Sequence, residues 1–104
     1  MAAGDINSRE IGSAGEFCLI SGELEADSSA RTFAIADEGT RIVLAEVQII
    51  SDVPEEAPQV VINSDDGTAE TKNGSLRITG KAADFGGGDN NDTYAYRVYC
   101  QGPF

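Results

Sequence analysis

One stretch offers the oxygen ligands that a hard cation takes: Asp84-Phe85-Gly86-Gly87-Gly88-Asp89-Asn90-Asn91-Asp92. Calcium binds about six to eight oxygens on a flexible loop, and this stretch supplies three carboxylates and two amides. It lacks the spacing and the terminal glutamate of an EF-hand. Glycine-rich calcium repeats act as stacks of many copies, and here there is one. The stretch therefore reads first as a solvated loop between strands and second as a calcium site. The two cysteines, Cys18 and Cys100, without any histidine, make no familiar zinc site. No cofactor is expected.

Catalytic chemistry finds little to work with. The chain has no histidine, so the commonest general base is missing, and no serine sits in a nucleophile elbow. Among 18 acidic residues some pair will always suit glycoside cleavage, so a carboxylate pair carries no information. The expectation is a protein that is not an enzyme. A sugar site needs aromatic platforms, yet there is no tryptophan, and Tyr94, Tyr96 and Tyr99 share one short segment. Cys18 and Cys100 close most of the chain if they pair. Without a recognisable leader they read rather as two thiols packed as small apolar residues.

Charge narrows the partners. Eighteen acidic residues against seven basic ones give −11 over 104 residues. Nucleic acid is bound through Lys and Arg that displace counterions, so a nucleic-acid partner is not expected, nor an anionic membrane surface. The charge suits solubility or docking on a basic surface. No run approaches the roughly 20 apolar residues of a membrane helix. The start, Met1-Ala2-Ala3-Gly4-Asp5, has neither the basic stretch nor the apolar run of a secretory signal.

These groups must be positioned by strands. Residues 16–26, 31–36, 41–51, 59–63, 75–81 and 93–101 carry apolar alternation or β-branched runs, separated by turn residues. In 41–51, Val43, Ala45, Val47 and Ile49 form one apolar face, with Ile42 and Leu44 on the other. In the last segment Tyr94, Tyr96, Val98 and Cys100 share a face. Asn73-Gly74 suits a hairpin turn. Spacing of about ten residues without a helical stretch predicts an all-β chain: a small antiparallel β-sandwich or barrel of six to seven strands with an extended N-terminal arm. Residues 1–15, polar and glycine-punctuated, are the expected flexible arm, and 16–104 the single β domain. An OB-like barrel is one option for the strand order, although its usual basic groove is missing.

Three segments together resemble small structural proteins of tailed-bacteriophage virions, of the capsid decoration (cement) type. They are the polar start Met1-Ala2-Ala3-Gly4-Asp5-Ile6-Asn7-Ser8-Arg9-Glu10, then Val61-Ile62-Asn63-Ser64-Asp65-Asp66-Gly67-Thr68 with Asn73-Gly74-Ser75-Leu76, and the terminal strand Asp92-Thr93-Tyr94-Ala95-Tyr96-Arg97-Val98. The resemblance implies a homotrimer on the capsid exterior, assembled in the host cytoplasm, that bridges major capsid protein subunits and strengthens the shell. It brings no catalytic residues. Ile6, Arg9 and Ile11 in the arm, and Phe104 at the tail, are the expected partner contacts. Two other readings remain: a tail or head–tail junction protein, and a monomeric β-sandwich or OB-like module that binds a sugar or calcium.

Overall fold

A computed structural model describes residues 4–27, 29–37, 40–50, 58–65, 71–80 and 92–101. Among them every regular element is a strand: β1 (Ile6–Ala14), β2 (Phe17–Ala26), β3 (Arg31–Ala34), β4 (Arg41–Ile49), β5 (Gln59–Ser64), β6 (Thr71–Thr79) and β7 (Asp92–Gln101). They form two antiparallel sheets, of order β1-β2-β7-β4 and β3-β6-β5. The chain is thus an all-β sandwich.

The wiring is nested. β2 pairs with β7, β3 pairs with β6, and β4 packs along β5. This is the pattern of one long hairpin rolled up, with β2, β4 and β7 in one sheet and β3, β5 and β6 in the other, as in jelly rolls. Two separate sheets replace the barrel that was the other expectation, and with it the OB-like strand order.

The core lies between the sheets. Period-two alternation sends Tyr94, Tyr96, Val98 and Cys100 of β7 inward together, as their spacing predicts. Ile20, Leu24 and Ala26 of β2 lie on the same side, and Phe33, Leu76 and Ile78 face them from the smaller sheet. Tyr94 and Phe33 are the bulkiest side chains fully withdrawn from water; rings of that size dominate the packing of a small domain.

Three local expectations are corrected. Residues 6–14, expected in a loose arm, form edge strand β1, paired with β2 from Ile6↔Leu24 to Ala14↔Phe17. The polar composition that suggested an arm is that of an edge strand open to water on much of its surface. Asn73-Gly74 is not a hairpin turn but lies inside β6. Gly74 has φ +89°, and its carbonyl accepts from both Ile35 N and Ala36 N where β3 ends. A Cβ there would meet the Ala36 and Asp37 carbonyl oxygens at 2.6 Å, so the glycine serves close backbone approach. In β4, Ile42 and Ala45 rather than Val43 and Ala45 share the inner face. Ile42 pairs with Cys100 and Leu44 with Tyr99, so Val43 is an extra, bulged residue. The bulge turns Ile42 into the core and Leu44 out into solvent.

Candidate assembly surface

The outer face of the four-stranded sheet is set by register. Leu19 of β2 lies opposite Tyr99 of β7, which lies opposite Leu44 of β4. Side chains directly opposed in a ladder stand on the same side of the sheet, so the three form an apolar row across three strands. Phe17, on the same side of β2, extends it. Leu19, Tyr99 and Phe17 are partly exposed, and Leu44 is 52% exposed.

A charged row runs beside it. Ser21, Arg97 and Glu46 are register partners one step along. Arg97 donates from Nε (3.2 Å) and Nη2 (2.9 Å) to Glu46 Oε1, and its guanidinium lies 5.9 Å from the Tyr99 ring centroid. The bond to Glu46, and then its charge, hold the Arg97 pKa above its ordinary value. A cation that is matched locally leaves the apolar row without excess charge, in a chain that is otherwise strongly acidic.

At one end of this face the Glu25 carboxylate is covered. Asn7 Nδ2 and Thr93 Oγ1 both donate to Glu25 Oε2 at 2.7 Å. Asn7 reaches it because the β1 ladder skips a residue between Ile6 and Ser8. The same irregularity directs Ser8 at its neighbours: its Oγ accepts from Glu23 N, and its carbonyl accepts from Tyr96 Oη at 2.8 Å. Gly22 provides the space, since a Cβ would collide with the Ser8 carbonyl and lie 2.9 Å from Tyr96 Oη. Edge strand β1 is therefore anchored from two strands away.

Of the expected contact residues, Ile6, Arg9 and Ile11 all lie on edge strand β1. Ile6 is half-buried against the core, opposite Leu24. Arg9 bonds within its own chain, Nε donating to Ile35 O at 2.6 Å, and so links the open ends of the two sheets. Ile11 stays 61% exposed opposite Ile20. Phe104 lies outside the described residues, as does most of the Asp84–Asp92 stretch. Asp92 alone of that stretch is described: it is buried as the first residue of β7, opposite Ala26. Among the described residues no three His, Cys, Asp or Glu side chains are grouped so as to hold a metal ion.

The outer row was partly visible in the alternation, since Phe17 and Leu19 face away from Cys18 and Ile20, and Tyr99 away from Tyr96. Leu44 likewise falls on the face opposite Ala45, Val47 and Ile49; the residue that alternation misplaces is Ile42, which the Val43 bulge returns to the core. An open depression of about 860 Å³ crosses this face beside Leu19, Ser21, Glu46, Ala95 and Arg97 and continues round β4 to Val47 and Val60. It lacks the enclosure with which small-molecule sites bury most of their ligand, and it suits a flat macromolecular contact better.

No protein-family model, curated protein or solved structure matches the chain.

Proposed function

We propose that this protein is a structural protein of a tailed-phage virion, of the capsid decoration type, which forms a trimer and binds the outer surface of the major capsid protein. The observation that carries an assembly role is the apolar row Leu19–Tyr99–Leu44 on the solvent side of the larger sheet. Contiguous exposed apolar surface bordered by polar groups marks a contact with another macromolecule. Main-chain groups at the edge of β1 add a second means of docking, by strand addition to a neighbouring sheet. The remaining acidic surface keeps a densely covered particle soluble. The choice of a virion among assemblies rests on the resemblance of the three sequence segments.

Light scattering over a range of protein concentrations tests the reading. A trimer is expected, reduced to a monomer by Leu44→Ser, a change at an exposed site that leaves the fold intact. Co-sedimentation with capsids lacking the decoration layer then tests the partner, in the phage whose genes place this chain beside a major capsid gene. A monomer at every concentration, with a melting temperature raised by calcium, would overturn the proposal in favour of a ligand-binding module.

A further inference from the structure

Cys18 and Cys100 are direct register partners in the ladder between β2 and β7. Both side chains are on the inner face. Cys100 is fully buried and Cys18 partly so, packed against the same apolar cluster. Both are free thiols in this structure. Directly opposed residues of an antiparallel pair have Cα atoms roughly 4.5–5.5 Å apart. Disulfides span Cα separations of roughly 4.4–6.8 Å, so a bond between the two sulfurs requires no shift in register.

We propose that Cys18 and Cys100 form a cross-linking site that closes to an intramolecular disulfide when a low-molecular-weight disulfide, such as oxidised glutathione, is present. The inference stands on the ladder alone and is independent of any virion role. Cys18, the more accessible sulfur, attacks first as its thiolate. It takes one sulfur of the oxidant as a mixed disulfide and releases one glutathione thiolate. Cys100 then gives its proton to water, its sulfur attacks Cys18 Sγ, and the second glutathione leaves. Two protein thiols are oxidised and one glutathione disulfide is reduced to two thiols. Burial, and then the neighbouring Cys18, push the Cys100 thiol up to about 11, which fits Cys100 as the second sulfur to react.

The bridge would join residues 82 positions apart (100 − 18). It ties the start of β2 to the end of β7, within the central pair of the larger sheet. A cross-link closing so long a segment restricts the unfolded chain strongly. Two thiols that merely fill core volume predict none of this.

The test uses the full chain, incubated with oxidised glutathione under native conditions. Expected are two glutathiones released per chain, loss of two hydrogens from the intact mass, a cross-linked pair of peptides containing Cys18 and Cys100, and a melting temperature raised by about 10 °C or more and reversed by dithiothreitol. Cys18→Ser, at the less buried position, should abolish both the mass change and the shift. Retention of both thiols, a stable glutathione adduct on Cys18 with Cys100 still free, or disulfide-linked dimers would each overturn the proposal.

Discussion

The Asn63 side-chain amide bonds both main-chain groups of Ile42: its Oδ1 accepts from Ile42 N at 3.0 Å and its Nδ2 donates to Ile42 O at 2.8 Å. The side chain thus takes the place of a strand beside β4 and joins the larger sheet to the smaller. Its Oδ1 also accepts from Gly74 N at 3.2 Å. Asn63 can turn this way because it sits at an irregularity of β5, with φ +54°. Asparagine tolerates that conformation better than most residues.

Asn63→Ala leaves the Ile42 groups without their partner and keeps an unfavourable backbone conformation. A loss of about 2–4 kcal/mol in denaturant unfolding is expected. Asn63→Gly loses the same bonds but relaxes the backbone, so it should be less damaging than the alanine by roughly 1 kcal/mol. Equal losses for the two variants would mean that the left-handed conformation at this position carries no strain.

Gly22 and Tyr96 together hold β1. Any side chain at residue 22 collides with the Ser8 carbonyl, so Gly22→Ala must push β1 from the sheet edge or displace the Tyr96 ring. Tyr96→Phe removes only the bond to Ser8 O, at about 1 kcal/mol. Hydrogen exchange distinguishes them. The alanine variant should lose protection along β1 as a unit, whereas the phenylalanine variant loses it chiefly near Ser8. Undisturbed β1 protection in Gly22→Ala would contradict the close approach.

The Asp27–Arg31 pair sets an acid dependence. Arg31 Nε and Nη2 donate to the Asp27 carboxylate at 3.1 and 2.8 Å, and Ser29 N adds a third bond. The Arg31 hydrogen bond is the main cause that holds the Asp27 pKa below its ordinary 3.8. A carboxyl group with a depressed folded-state pKa stabilises the fold above its unfolded value, and that contribution is lost as pH falls through the folded one. Asp27→Asn should therefore reduce stability at neutral pH, and the difference from the natural chain should vanish below the ordinary carboxylate range. Arg31 is 41% exposed, so solvent screening keeps the effect within about 1 kcal/mol. A difference that persists in strong acid would point to the backbone geometry at residue 27 instead.

Strand positions and inward faces were legible where alternation ran without interruption. Tyr94, Tyr96, Val98 and Cys100 are inside because nothing in β7 breaks its period. Cys18, Ile20 and Leu24 share one face for the same reason, with Gly22 between them. What escaped notice depends on contacts far along the chain. β1 is polar, and its pairing is fixed by the Tyr96 hydroxyl and Arg9, which bond to groups 88 and 26 residues away. Asn73-Gly74 has the composition of a turn, yet the end of β3 uses that glycine for close approach inside a strand. Ile42 and Leu44 share a face by alternation, yet Ile42 is buried and Leu44 exposed, because the Val43 bulge that separates them leaves no mark in residue type.

That bulge yields the sharpest test of the β4 register. Ile42 pairs with Cys100 and Leu44 with Tyr99, although Cys100 and Tyr99 are adjacent. Removing Val43 therefore leaves a continuous ladder, with Ile42 still inward and Leu44 still outward. Removing Val98 from β7 has no such slack. It would reverse every side chain on one flank of a strand that pairs on both edges, expelling either Cys100 or Tyr96 and Tyr94 from the core. The Val43 deletion should thus retain cooperative unfolding and native near-ultraviolet dichroism with a loss of roughly 1–3 kcal/mol, whereas the Val98 deletion should not fold. An unfolded Val43 deletion would mean that the bend the bulge creates, rather than the register it sets, is what brings Ile42 within reach of Asn63.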